Sequence, residues 1–356
     1  MATRTTTAMS CLCYALLAAT AAALLATATA DPAKIGVCHG RVGSNLPAPE
    51  AAAALLRQNG ITKARLFLPD PAVLPAFAAA GIDLTVGVPK ENLTYLSTSG
   101  PDGALQWLRA NGLATNPVAA RLRYLVVGNE VLYNNQFYAP HLVPAMRNLH
   151  AALAALGLDR AVKVSSAHAS SVLAVSYPPS AGAFDGATLD VLRPMLRFLA
   201  DTGAPFMLNA YPFISHLSDP ANVPLDYALS SSSGTAATTV VRDGALEYTG
   251  LFDATVDAVA AALEREGFGG VAVAVTETGW PTAGHPDATP QNAAVYNGGV
   301  ADRAARGAGT PRRPGTPVEV FLFDLYDEDG KPGAEIERHF GIFKADGTKA
   351  YDISFI

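Results

Sequence analysis

Cysteine is nearly missing from this sequence. Its 356 residues include three cysteines, and two of them, Cys11 and Cys13, lie in an apolar N-terminal stretch. If that stretch is removed, Cys38 is left alone and the mature chain cannot form an internal disulfide. Cys38 lies in an apolar run, which favours a packing role over a nucleophilic one. Since half of the residues are apolar, a hydrophobic core can supply the stability instead.

Blocks of basic charge are missing as well. The 25 Lys and Arg residues are outnumbered by 31 Asp and Glu, which gives a formal net charge of −6 at pH 7. An acidic chain without clustered Lys and Arg is a poor partner for nucleic acids and for anionic membranes. We therefore expect neither of these partners.

Several catalytic and cofactor motifs do not occur. The seven histidines form no His-Glu-x-x-His motif and no cluster with cysteine, so a zinc site is not expected. Ser165, Ser166 and His168 lie close together, but no Gly-x-Ser-x-Gly motif accompanies them. We interpret these three as polar lining at a strand end. The sequence implies no metal and no organic cofactor.

Residues 1–30 differ from the rest of the chain. Arg4 is their only charge, residues 11–26 are rich in Ala and Leu, and Ala28-Thr29-Ala30 precedes Asp31. This order is typical of a secretory signal peptide, and the apolar run is short for a membrane anchor. We predict a signal peptide at 1–30, a single domain at 31–356, and a soluble, extracellular, monomeric protein without a lipid anchor. Asn92-Leu93-Thr94 is a candidate glycosylation site.

Short apolar runs alternate with amphipathic segments throughout the mature chain. Helices are predicted at 48–60, 141–157 and 250–267, with a further helix beginning near Pro290. Near-continuous apolar runs are typical of parallel strands buried on both faces. Eight such runs predict a closed (β/α)8 TIM barrel, and the missing Gly-x-Gly-x-x-Gly disfavours an open, doubly wound sheet. A polar stretch at 229–248 is predicted to be a surface insertion after strand six. The predicted strands are 34–40, 64–68, 83–88, 123–130, 162–168, 205–212, 271–280 and 318–328.

Polar residues follow several of these strands. Glu130 ends strand four and Glu277 ends strand seven. Because active sites of (β/α)8 barrels form at the carboxyl ends of the strands, these two carboxylates are predicted to meet. Such a pair suits glycosidic hydrolysis, in which one group protonates the leaving oxygen and the other stabilises or attacks the sugar. Neighbouring candidates are Asn129, Asn209, Tyr211, Asp324, Asp327 and Glu328, with Lys331 just beyond. Trp280 is expected to stack on a sugar ring.

Four motifs carry a resemblance to a known family. "IGVCHGRVGSNLP", "VVGNEV", "VTETGWPTAG" and "EDGKPGAEIERHFGIF" occur in this order within residues 35–355. The sequence is similar to the plant endo-β-1,3-glucanases of glycoside hydrolase family 17. The resemblance implies a retaining (β/α)8 enzyme in which Glu130 is the proton donor and Glu277 the nucleophile. It also implies that Asn129 binds the 2-hydroxyl of the sugar. Glu328, Lys331 and Glu337 match three supporting residues, and the lysine would favour the charged nucleophile.

Two of the departures from the family pattern concern the expected sugar subsites. His39 and Phe67 stand where the family usually has tyrosines, so both are expected to change the sugar subsites. The resemblance implies a secreted endo-acting hydrolase of β-1,3-glucan. Two alternatives stay open, namely a β-1,3-1,4-glucanase and a catalytically silent glucan-binding wall protein.

Overall fold

The computed structural model describes residues 35–133, 137–230 and 239–355. The predicted signal peptide at 1–30 lies outside the described residues. Among the residues that are described, no helix is long and apolar enough to cross a lipid bilayer.

Eight parallel strands form a closed barrel, which confirms the predicted architecture. Each strand pairs with the next one along the chain, and the last pairs with the first. Closure therefore brings the carboxyl ends of all eight strands to one rim. The strands are β1 (Gly36–Cys38), β2 (Lys63–Leu66), β3 (Asp83–Val88), β4 (Leu122–Asn129), β5 (Lys163–Ala169), β6 (Phe206–Asn209), β7 (Val273–Thr278) and β8 (Val320–Leu322).

Helices occupy the connections between the strands, and all four predicted helices are confirmed. Several begin at proline, which suits the first helical turn, and α7 ends at Gly203 in the left-handed conformation. The described helices are α1 (Pro49–Gln58), α2 (Val73–Ala79), α3 (Leu93–Thr98), α4 (Gly100–Ala110), α5 (Val118–Arg121), α6 (Ala139–Ala155), α7 (Leu189–Thr202), α8 (Pro212–Ser218), α9 (Leu225–Leu229), α10 (Leu251–Arg265) and α11 (Pro290–Ala305).

The core has an outer and an inner part. The outer part packs the strands against the helices and contains most of the buried aliphatic side chains. The inner part fills the barrel with smaller clusters, one of which contains Cys38, Phe321, Phe323 and Phe340. A Cβ on Gly36 would overlap the Phe321 ring, so glycine in β1 makes room for this interior side chain.

Two excursions from the barrel each contain a short hairpin. The predicted insertion contains a hairpin of Val241–Asp243 and Leu246–Tyr248, and its residues 231–238 lie outside the described residues. A second hairpin, Leu173–Val175 with Ala183–Phe184, follows β5 and was not predicted. Strands of two or three residues are too short to show a periodic pattern. The Ser180 N–H joins the excursions by donating to Asp243 Oδ2 at 2.6 Å.

Candidate active site

A cleft with a cavity volume of about 410 Å³ opens at the carboxyl ends of the strands. Its walls bring together residues from β4, β5, β6 and β7 and from the segments that follow β4, β5, β6 and β8. The lining residues are Asn129, Glu130, Tyr133, Ala169, Ser170, Ser171, Asn209, Tyr211, Ile214, Ser215, Glu277, Phe323, Lys331, Glu337 and Phe340. The predicted meeting of Glu130 with Glu277 is therefore confirmed.

The backbone at the end of β4 turns Glu130 into the cleft. Gly128 has a φ of 67°, and Glu130 has a φ of 52°, the only positive value for a non-glycine residue among the described residues. The register between β4 and β5 also shifts beyond Val126. The Glu130 N–H donates to Ala167 O at 2.8 Å, which fixes the turn. Left-handed backbone at a bulky residue costs about 1–3 kcal/mol and tends to occur at functional sites.

Glu277 lies opposite, near the end of β7, where the register with β6 also shifts. Its side chain accepts hydrogen bonds from Arg65 and from Tyr211, which lies two residues beyond β6. Arg65 Nη1 on β2 donates to Glu277 Oε1 at 2.8 Å, and Tyr211 Oη donates to Oε2 at 2.9 Å. Glu277 is only 6% exposed and Arg65 only 1%. Glu277 is thus a buried carboxylate in an ion pair.

Asn209 connects the two carboxylates. Its Nδ2 lies 2.9 Å from Glu130 Oε1 and 2.9 Å from Glu277 Oε1. These two oxygens are therefore no farther apart than twice that distance. The same nitrogen lies 3.2 Å from Asn129 Oδ1, while Arg65 Nη2 donates to that oxygen at 2.9 Å. One amide and one guanidinium thus orient three predicted site residues.

The surroundings of Glu130 favour its protonated form. Burial raises the pKa of Glu130 above its usual range, and the negative charge of Glu277 raises it further. The hydrogen bond from Asn209 and the charge of Arg65 act in the opposite direction. Glu130 can therefore hold a proton beside a carboxylate that is paired with a cation.

Tyr211 keeps its phenol proton and donates it in a hydrogen bond to Glu277. Burial, and next the charge of Glu277, raise the pKa of the Tyr211 phenol well above its usual range. The ring contacts Phe323 and Phe340 edge-on, at centroid distances of 6.2 and 5.8 Å. This apolar wall beside the carboxylates suits the apolar face of a sugar.

Three charged residues beyond β8 are brought together as the resemblance implied. Lys331 Nζ lies 3.7 Å from Glu328 Oε2 and 3.6 Å from Glu337 Oε2. Lys331 and Glu337 line the cleft, whereas Glu328 is 3% exposed and accepts from the Val42 N–H at 2.8 Å. The cation that contacts Glu277 is thus Arg65 and not Lys331.

Arg65 is the main residue that the sequence analysis missed. The signal was present, because a charged side chain interrupts the apolar run "ARLFL". A buried charge in a strand requires partners, and Arg65 donates through the barrel interior to Glu277, to Asn129 and to the carbonyl of Thr276. Four wall residues were also not predicted, because their residue types carry no distinctive signal: Ser170, Ser171, Phe323 and Phe340.

The predicted stacking role of Trp280 is wrong. Its side chain is 0% exposed and packs against Phe213 and Tyr296, with ring centroids 4.9 and 5.6 Å away. The indole Nε1 donates to Asp287 O at 2.9 Å. Because the ring is fully buried, no face of it is left for a sugar. Trp280 is therefore a core residue, and it supports the loop after β7.

His39 does not line the cleft, so the effect on sugar subsites expected from it is also wrong. Successive residues of a strand point to opposite sides, and His39 faces the helices while Cys38 faces the interior. The His39 ring stacks on Phe77 of α2 with centroids 5.4 Å apart. Phe67 is closer to the site, since Arg65 lies over its ring at 4.8 Å.

The strand-end lining expected from Ser165, Ser166 and His168 is wrong as well. All three are buried and none lines the cleft. Ser165 Oγ donates to Pro205 O, and His168 stacks on Phe206. Asn92 is half-buried at a surface turn before α3.

A (β/α)8 barrel with a proton-holding glutamate and an ion-paired glutamate at its mouth defines the class as a glycoside hydrolase. The chain belongs to the family described as glycosyl hydrolases family 17, whose profile matches residues 35–355.

Similar proteins come from several plants. A glucan endo-1,3-beta-glucosidase from Vitis vinifera is 39% identical over 334 residues, 93% of this chain and 94% of its own length. Lichenase-2 from Hordeum vulgare is 40% identical over 321 residues, 90% of this chain and 98% of its own. The structure of CJP38, a β-1,3-glucanase and allergen of Cryptomeria japonica pollen, matches with a TM-score of 0.85 and 41% identity. It covers 90% of this chain and 99% of its own.

Proposed function

We propose that the protein is a secreted, retaining endo-glycosidase that cleaves internal β-1,3-glucosidic linkages of a β-1,3-glucan of the callose or laminarin type. The observation that carries the proposal is the Glu130–Asn209–Glu277 bridge at the barrel mouth. Relatives of similar length that bear the name glucan endo-1,3-beta-glucosidase support the linkage.

The reaction takes two steps. Glu130 donates its proton to the glycosidic oxygen while Glu277 attacks the anomeric carbon, so that the leaving glucan departs and a glycosyl ester forms. Glu130, now ionised, then removes a proton from water. The water oxygen attacks the same carbon and releases Glu277. The sugar leaves with its original β configuration.

Carboxylate separation supports retention. Retaining glycosidases hold the two carboxyl groups about 5–5.5 Å apart, and inverting ones about 6.5–9.5 Å. The shared hydrogen bonds to Asn209 limit the nearest oxygens to twice 2.9 Å, which leaves little room for an intervening water. Under this proposal Asn129, whose Oδ1 accepts from Arg65, binds the 2-hydroxyl of the sugar under attack.

Two variants test these roles. Glu130→Gln and Glu277→Gln are each expected to lower kcat on laminarin by about 10²–10⁴-fold, because each removes a proton-transfer group or the nucleophile. Proton NMR of a fresh digest should show the β-anomer first. An α-anomer first, or near-full activity of either variant, would contradict the assignment.

A mixed-linkage β-1,3-1,4-glucanase is the second candidate function. The similarity to lichenase-2 of Hordeum vulgare favours it, at an identity close to that of the named 1,3-glucosidases. Reducing-sugar release from laminarin and from lichenan, measured side by side, separates the two. Laminarin bound without any sugar release would instead support the silent glucan-binding protein.

Secretion and glycosylation belong to the same proposal. Expression of the full chain in plant cells is expected to give a culture-medium protein whose N-terminal sequence begins at Asp31. A glycan on Asn92 should disappear in Asn92→Gln, with a matching loss of mass. A protein that stays inside the cells with residues 1–30 still attached would contradict the secretory role of that segment.

A further inference from the structure

Asp324 is a buried carboxyl group that the proposed reaction does not use. It follows β8, is 1% exposed, and does not line the cleft. Both of its oxygens lie 3.1 Å from the Gly40 N–H, and Oδ1 also accepts from the Leu325 N–H at 2.6 Å. The carboxyl therefore joins residues 40–42, the β1 exit, to residues 323–331, the β8 exit.

Glu328 makes a second connection of the same kind. Its Oε1 accepts from the Val42 N–H at 2.8 Å, two residues beyond Gly40. Two carboxyl groups of the β8 exit thus satisfy alternate N–H groups of the β1 exit, where strand pairing has ended. A Cβ on Gly40 would overlap the Glu328 carboxylate, so the two exits pack closely.

The β8 exit also carries a wall of the cleft. Phe323 directly precedes Asp324 and lines the cavity. Lys331 Nζ lies 4.1 Å from the centre of the Phe323 ring and 3.7 Å from Glu328 Oε2. A shift of the β8 exit would therefore move both Phe323 and Lys331.

We propose that Asp324 is a positioning residue that locks the β1 exit to the β8 exit and thereby sets Phe323 and Lys331 for glucan binding. The inference rests on the proposed function, because Phe323 and Lys331 matter only if glucan occupies this cleft. In the described part of the chain, no hydrogen bond or ion pair links Asp324 to Glu130, Glu277 or Asn209. Its contribution is therefore to binding and not to the bond-breaking steps.

The surroundings of Asp324 favour its neutral form. Burial raises the pKa of Asp324 well above its usual range, and the charge of Glu328 raises it further, against the N–H groups of Gly40 and Leu325 and the charge of Lys331. On β1, the nearby titratable group is the Cys38 thiol. Burial raises the pKa of this thiol as well. The segment from Phe340 to Ile342 contacts Asp324 through backbone groups only. The Asp324 N–H donates to Phe340 O, and the Ile342 N–H donates to Asp324 O.

The first test is a pair of substitutions at this position. Asp324→Ala should raise KM for laminarin about tenfold, because the Gly40 N–H loses a buried acceptor, while kcat changes less than about twofold. Asp324→Asn keeps an acceptor oxygen and should restore KM to within about twofold of the wild type. An unchanged KM in Asp324→Ala, or an Asp324→Asn variant as impaired as Asp324→Ala, would overturn the proposal.

A double-mutant cycle tests whether Asp324 acts through Lys331. In a Lys331→Met background, Asp324→Ala should raise KM less than it does in the wild-type background, because one of the two side chains that it positions is gone. Independent effects that multiply would overturn this step. If Asp324→Ala does not fold, Gly40→Ala disturbs the same junction from the β1 side and should raise KM similarly. An unchanged KM in Gly40→Ala would also count against the proposal.

Asp257→Ala is the matched control. Asp257 is equally buried on α10 and accepts from Tyr248 Oη at 3.0 Å and from the Arg312 N–H at 2.9 Å. Its loss should lower the melting temperature without a change in KM. An equal rise of KM in Asp257→Ala would show that any destabilisation weakens binding. Turnover of laminarin by the wild type tests the proposed function separately. The proposal about Asp324 depends only on the ratios of KM between variants.

Discussion

Glu130 and Glu277 are the same residue type in opposite surroundings. Glu277 faces the guanidinium of Arg65 and two further donors, whereas Glu130 receives one amide hydrogen bond and faces the charge of Glu277. Burial and charge around each side chain, not its identity, assign the roles of acid and nucleophile.

Glu130→Gln is expected to make the protein more stable at neutral pH. The pKa of Glu130 is raised in the folded protein, so its stabilising effect is complete below the unfolded pKa and is lost as pH rises through the folded value. Glutamine mimics the protonated form and avoids this loss. Urea unfolding at pH 7 and at pH 4 should show a gain at pH 7 that disappears at pH 4. A loss of stability at pH 7 would contradict this explanation.

Arg65→Met is expected to destabilise the protein by about 3–5 kcal/mol, because it leaves the Glu277 carboxylate buried and unpaired. Activity should fall as well. The control is Arg193→Met, since Arg193 pairs with Glu266 at the same 2.8 Å but is 60% exposed. Because solvent screens an exposed ion pair, Arg193→Met should lose much less stability than Arg65→Met. Equal losses of unfolding free energy in the two variants would refute the importance of burial here.

At the scale of the element, β4 shows how a buried strand ends in polar chemistry. Its apolar residues, Leu125 to Val127, pack on both sides of the barrel wall. The change of direction happens at Gly128, the one residue type that adopts a positive φ at little cost. The turn lifts Asn129 and Glu130 out of the wall and into the cleft.

Gly128→Ala tests this turn. A Cβ there would overlap Val131 Cγ2, and φ is 67°, so the variant should lose roughly 1–2 kcal/mol from the backbone alone and more from the overlap. A marked fall in kcat should accompany the loss as Glu130 moves. Gly157→Ala is the control, because Gly157 has a φ of 69° and open space around its Cβ. It should lose stability and keep kcat, and equal kcat in the two variants would count against the turn's role.

At the scale of the whole molecule, barrel closure makes the site. Arg65 on β2, Glu130 after β4, Asn209 on β6 and Glu277 on β7 are far apart in sequence but share one rim. The same closure buries His39 and His168 away from water. Burial lowers the pKa of each to about 4.

These histidines should make the fold sensitive to acid. Folding lowers the pKa values of both histidines. Their contribution to the free energy of unfolding is therefore complete above pH 6.5 and is lost as pH falls toward 4. The loss should reach on the order of 3 kcal/mol for each imidazole at pH 4. His39→Phe fits against Phe77 and should flatten this fall in a series of urea titrations from pH 7 to pH 4. Parallel curves for variant and wild type would refute it.

The sequence by itself determined the eight barrel strands, four of the helices and the positions of Glu130 and Glu277, because these follow from local periodicity and from strand ends. Only the tertiary structure decided which neighbours they meet. It placed Arg65 against Glu277, put Asn209 between the carboxylates, and turned Trp280 and His39 into the core. Whether a side chain faces the cleft or the helices depends on strand register and barrel closure, which no local pattern of residues encodes.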